Sequence, residues 1–238
     1  MTENRPFVSS EYIVQQNKVQ FGWTHALDLL PLGEGLCLDL GAGSGRLKTQ
    51  IETKGYRYLG LDIAAQGPDV QFGDAHALPL GDCTVDAVHT QDVLEHLENP
   101  WQAVGEIHRV LKPRGLFCGS AAFLQPWHQS YFHFSHWGLE RTLKQAGFSI
   151  IRMEPGTSVF LTLPHGTIDW FTRRPIATHI ARFLCAPLWR CLIAARNVRR
   201  RMTGSRGKSV VPSPFDGFLG QAPFRLAGSI LWLAQRPS

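Results

Sequence analysis

Hydrophobic positions along the chain follow two rhythms that alternate. Leu36-Cys37-Leu38-Asp39-Leu40 is a short apolar run closed by glycines, and Tyr58 to Leu61, Val85 to Val88 and Leu116 to Gly119 have the same character. Runs of that length between turn residues predict buried parallel strands. Between them lie helical spacings, over 46–54 after a glycine-rich loop and over 99–111, where Trp101, Val104, Ile107 and Leu111 share a face ahead of Pro113. Ser135 predicts a cap for a helix over 136–146, with Leu139, Leu143 and Ala146 on one side and Gly147 as its stop. Phe148 to Met153 and Val159 to Leu163 read as strand again, and an apolar run at 226–234 predicts a last strand within 224–236. Apolar groups at helical spacing over 11–30 predict a leading helix that stops at Pro31. This alternation predicts an α/β fold: one domain over 1–238 built on a doubly wound, mostly parallel sheet, with ligands at the strands' carboxyl ends.

Composition refines that picture in two places. Five cysteines (Cys37, Cys83, Cys118, Cys185, Cys191) without a CxxC pair argue against a disulfide framework and a zinc site, and are expected to be buried, reduced thiols. No metal is expected. Ten of the 24 basic residues lie in 173–208, where no acid occurs, so the remaining 14 face 19 acidic residues elsewhere. The segment 165–215 thus reads as a basic, partly helical insertion broken by Pro175, Pro187, Pro212 and Pro214. The N-terminus lacks a signal-peptide run and no window has the length of a membrane span, which predicts a cytoplasmic protein.

The loop LDLGAGSGR at 38–46 follows a strand and precedes a helix. Gly41 and Gly43 let the backbone approach a ligand, and Gly45 lets the helix begin close to the strand. The spacing is GxGxG rather than the dinucleotide GxGxxG, with Asp39 two residues ahead. An acid there repels a pyrophosphate and suits a cationic amino-acid group, which favours S-adenosylmethionine over NAD. Asp62 ends the second strand, where a carboxylate can accept hydrogen bonds from two ribose hydroxyls, and Asp74 follows a third short strand, where it can meet the adenine amino group.

These stretches, with GLDI (60–63), GDAHALPLGDCTVDAV (73–88), QDVLEHLENP (91–100) and EIHRVLKPRGLF (106–117), resemble the class I methyltransferases of the small-molecule "methyltransferase type 11" kind over roughly residues 35–163. The resemblance implies a Rossmann-like, seven-stranded sheet, a cofactor-binding core at 35–163 and S-adenosyl-L-methionine as cofactor. It implies that Asp39, Gly41, Ala42 and Gly43 hold the methionine end, Asp62 the ribose, Ile63 the adenine face, and Asp74 with Ala75 the adenine edge. Gln91 is implied to sit beside the cofactor, and His96 to have a structural role. Two departures stand out: the loop after Asp62 is too short for the usual helix, and Arg114 replaces the first glycine of the usual LKPGG turn.

The stretch 126–135 resembles an acceptor-binding loop of part of that family, with Ser130 and His133 where an acid and an arginine are usual. His128, Tyr131 and His133 are the candidates for base or acceptor contact. Ile180, Phe183, Leu184, Leu188, Trp189, Leu192 and Ile193 alternate with Arg182, Arg190, Arg196 and Arg199-Arg200-Arg201, a pattern suited to an anionic membrane surface or to a helical cap with a solvated basic face. The aromatics sit among aliphatics, which argues against nucleic acid. The function expected is methyl transfer to a small or lipid-linked acceptor, with a location in the cytoplasm or peripheral to the membrane's inner face. The competing readings are a catalytically silent cofactor-binding membrane module and a nicotinamide-dependent oxidoreductase.

Overall fold

A computed structural model describes residues 25–125, 129–157, 191 and 227–238. In chain order these form β1 (Leu36–Leu40), α1 (Lys48–Thr53), β2 (Arg57–Asp62), β3 (Val70–Phe72), β4 (Val85–Gln91), α2 (Pro100–Val110), β5 (Leu111–Ala122), α3 (His136–Gln145), β6 (Ser149–Pro155) and β7 (Ser229–Gln235). The strands make one seven-stranded sheet in the order β3-β2-β1-β4-β5-β7-β6. β1 to β5 pair in parallel, while β7 runs antiparallel between β5 and β6.

The two-residue period of a strand sorts side chains onto two buried faces. Leu38, Val88, Phe117 and Trp232 fall on one, under α2 and α3. Cys37, Ala87, Cys118 and Leu233 fall on the other, with Leu27 and Leu30 around the 3-10 turn Ala26–Leu29 and Ile51 of α1. Gly119 on β5 is small because a methyl group there would stand 2.2 Å from the Trp232 ring and 2.4 Å from Thr90 Oγ1.

α2 and α3 both begin at side-chain caps, the second of them the predicted Ser135. Asn99 accepts from the Gln102 N–H at 3.1 Å and Pro100 opens α2; Ser135 Oγ accepts from the Gly138 N–H at 3.2 Å and opens α3. The leading helix expected over 11–30 appears in its described part as the Ala26–Leu29 turn, and 11–24 lie outside the described residues. So do the strand expected at 159–163 and the basic segment 165–215, apart from residue 191. The buried-cysteine expectation holds for Cys37 and Cys118 and fails for Cys83 and Cys191, which are exposed. Cys83 stands in a tight turn before β4, at φ 54°, with the Arg236 guanidinium 3.4 Å from its sulfur. Cys185 lies outside the described residues.

Arg114 adopts φ 64°, the left-handed region that glycine tolerates. The arginine that replaces the expected glycine therefore keeps the glycine's backbone shape, at a cost of about 1–2 kcal/mol. Arg114→Gly is expected to raise the unfolding free energy by about 1 kcal/mol, read as a higher urea midpoint at unchanged slope. A lowered midpoint would show that the side chain contributes more than the backbone strain costs.

Candidate functional site

Parallel strands leave their carboxyl ends at one rim of the sheet, and that rim carries two adjoining cavities. The smaller, 270 Å³, is lined by Asp39, Gly41, Ala42, Gly43, Ser44, Arg46, Leu47 and Gln91. The larger, 560 Å³, includes Asp62, Ile63, Asp74, Ala75, Gln91, Asp92 and Tyr131 in its wall. Gly41 and Gln91 face both cavities.

The glycine loop has the strain its sequence implies. Gly41 and Gly43 stand at φ 75° and 56°. A methyl group on Gly41 would lie 2.4 Å from Val93 Cγ2, whereas one on Gly43 would meet nothing within 4 Å. Gly43 thus turns its bare side toward open space, a cradle that any larger residue would fill.

Asp62 ends β2 with both carboxylate oxygens engaged at the backbone: Oδ2 accepts the Gly43 N–H at 2.8 Å and Oδ1 the Ala64 N–H at 2.7 Å. It braces the loop while remaining part-exposed in the cavity wall. Asp74 Oδ1 accepts from the His76 N–H at 2.9 Å and lies 2.7 Å from His76 Nδ1. The backbone bond from His76, then its ring, hold the Asp74 carboxyl below the usual carboxylate range, so it is an acceptor at neutral pH. Ile63 is 68% exposed, a large apolar side chain presented to the cavity.

Gln91, at the end of β4, is tied on every side. Its Oε1 accepts the Ala26 N–H at 3.0 Å, and its Nε2 donates to Ser120 Oγ at 2.7 Å and Asp92 Oδ2 at 3.1 Å. Ser120 Oγ in turn donates to Asp92 Oδ1 at 2.6 Å. Asp92 holds φ 54°, a conformation costly for a residue with a side chain and concentrated at functional positions. Sequence reasoning did not single it out, because neither the turn nor the serine 28 residues away is visible in a local pattern.

The acceptor-loop candidates separate in space. Tyr131 lines the larger cavity; His133 is exposed and is not among the lining residues; His128 lies outside the described residues. The loop is stitched down by Glu95, whose carbonyl accepts the Tyr131 and Phe132 N–H groups at 2.9 and 3.1 Å and whose Oε1 accepts the Ala122 N–H at 2.8 Å. His96 also faces the larger cavity, from the turn Leu94–His96.

The charge of the walls discriminates between ligands. Asp62, Asp74, Asp92 and Glu98 line the larger cavity, and no Lys or Arg does so among the described residues. Such a wall repels a pyrophosphate and attracts a cation. Arg46, which lines the smaller cavity as Asp39 does, is a cation that a free carboxylate could meet. No group of three or more His, Cys, Asp or Glu residues suited to a metal occurs among the described residues.

Residues 38–119, which supply every lining residue of both cavities except Tyr131, match the family model described as "Methyltransferase domain". Over that stretch, about a third of its length, the chain carries a methyltransferase domain. It is 26% identical over 164 residues to an uncharacterized methyltransferase of Mycobacterium sp. strain JLS, covering 62% of this chain and 64% of that relative, so the chain spans less than two thirds of it. The crystal structure of an S-adenosylmethionine-dependent methyltransferase from Mesorhizobium loti superposes with a TM-score of 0.54 at 17% identity, covering 89% of this chain and 95% of that one. The [4+2]-cyclase SpnF superposes with a TM-score of 0.55 at 18% identity, covering 88% and 76%. Those structures share the fold, and the fold by itself hosts more than one chemistry.

Proposed function

We propose that the protein transfers the methyl group of S-adenosylmethionine to a small or lipid-linked acceptor. The observation that carries this reading is the glycine loop, where Gly43 in the wall of the smaller cavity opens toward empty space while Asp62 in the wall of the larger accepts its N–H. The cofactor supplies a methyl group on a cationic sulfonium, and its adenosine and amino-acid ends match the acid-walled larger cavity and the glycine-loop cavity. On this reading Asp39, Gly41, Ala42 and Gly43 hold the methionine end, with Arg46 facing its carboxylate. Asp62 accepts from the ribose hydroxyls, Ile63 covers the adenine face, and Asp74 with the Ala75 N–H reads the adenine edge. Gln91 holds the junction between the two ends.

Methyl transfer is an in-line displacement, so most of the protein's contribution is alignment of the acceptor with the sulfonium. Tyr131 and Asp92 are the described groups at the acceptor side, and His128 and His133 are the further candidates on the same loop. Asp92, its two oxygens oriented by Ser120 and Gln91, takes the acceptor's proton when the acceptor carries one. Incubating purified protein with methyl-labelled S-adenosylmethionine and cell extract tests the reading. Labelled product together with S-adenosylhomocysteine is expected, whereas cofactor binding without turnover would favour a silent module.

The basic segment 173–208 supports a second proposal, that the enzyme works at the inner face of a membrane. No described helix is long and apolar enough to cross a membrane. Ten positive charges beside Phe183, Leu184, Trp189 and Ile193 instead favour surface attachment, with each basic residue worth on the order of 1 kcal/mol near anionic lipid. Sedimentation with anionic vesicles is expected to pellet the protein at low salt and less at high salt, with Arg199, Arg200 and Arg201 changed to Gln weakening it further. Equal, negligible pelleting with anionic and neutral vesicles would return the segment to a helical cap.

A further inference from the structure

Asp39, the acid ahead of the glycine loop, is not free beneath the smaller cavity. It is almost wholly buried, and its two oxygens are shared between two side chains from neighbouring strands. His89 Nδ1 lies 2.8 Å from Oδ1, and the Tyr58 hydroxyl donates to Oδ2 at 3.2 Å. Register explains the meeting: Asp39 on β1 pairs with His89 on β4 and with Gly60 on β2. Gly60 is needed, because a methyl group there would stand 2.5 Å from the Tyr58 hydroxyl that lies over it. Burial and the Asp39 carboxylate push the Tyr58 phenol up, so it remains a donor.

His89 is fully buried, and its Nε2 has no hydrogen-bond partner among the described residues. A neutral ring leaves a bare lone pair there, while a protonated ring leaves an unpaired N–H and a full charge, the costlier arrangement in an apolar site. The neutral ring donating from Nδ1 leaves Asp39 its whole negative charge for a ligand ammonium group.

We infer that His89 and Tyr58 are positioning residues for Asp39: between them they engage both of its carboxylate oxygens, so that the charge meeting the cofactor's amino-acid end is held in one orientation. This rests on the cofactor reading above.

The test compares two ligands by calorimetry: S-adenosylhomocysteine, which carries the amino-acid end, and 5′-methylthioadenosine, which lacks it. His89→Leu and Tyr58→Phe are each expected to weaken S-adenosylhomocysteine about tenfold, the scale of one hydrogen bond to a charged group, and to leave methylthioadenosine level. His89→Asn, which keeps a donor near the place of Nδ1, is expected to recover most of the loss. Equal effects on the two ligands, or no effect on either, in variants that fold would overturn the inference while leaving the cofactor reading intact. Failure of both ligands to bind the wild type would remove the cofactor reading and this inference with it.

Discussion

Gly43→Val is expected to lower cofactor affinity by at least a hundredfold, about 3 kcal/mol, while the protein still folds. Two features of the residue combine. Its φ of 56° lies where a β-branched side chain is strained, and the space its side chain would enter is open cavity rather than protein. The strain costs stability by about 1–3 kcal/mol, which a domain with this sheet can tolerate, whereas the isopropyl group occupies volume the ligand needs. Gly41→Val separates the two effects, since there the added group meets Val93 and the damage falls first on folding. Calorimetric titration with S-adenosylhomocysteine, alongside the thermal midpoint, reads both quantities. Normal affinity in a folded Gly43→Val protein would show that the loop does not cradle the ligand.

Asp62→Ala is the second large effect, a loss of about 1.5–3 kcal/mol in cofactor affinity, the scale for hydrogen bonds to a charged group. The structure adds a cost beyond the ribose contacts, because the same carboxylate restrains the Gly43 and Ala64 N–H groups. Asp62→Asn retains an oxygen for one of those bonds and is expected to lose less. Unchanged affinity in both variants would remove Asp62 from the ribose.

What could be read in advance was whatever the chain encodes locally. The strand and glycine turn at 36–45, the Ser135 cap and the acids closing β2 and following β3 are short-range chemistry, and they stand where the spacing places them. The central strands β1, β4 and β5 also follow from pattern, because buried parallel strands read as apolar runs. The partners of Asp39 could not be read this way. His89 lies 50 residues on and meets it only through the pairing of β1 with β4, and Tyr58 reaches it over a glycine on β2. Asp92 was hidden for a similar reason, since its orientation depends on Ser120 from the next strand. Cys83 shows the converse failure: composition treats a thiol as buried, while the tight turn before β4 leaves this one exposed. The acceptor loop was legible as a location and not as a geometry, because Glu95 fixes it from outside its own sequence.

The central claim is that the glycine-loop and acid-walled cavities together hold S-adenosylmethionine. Calorimetric titration of the wild-type protein with S-adenosylhomocysteine and, separately, with NAD tests it most directly. Saturable one-to-one binding of S-adenosylhomocysteine, with no heat from NAD, is the predicted result. Binding of NAD with no response to S-adenosylhomocysteine would contradict it.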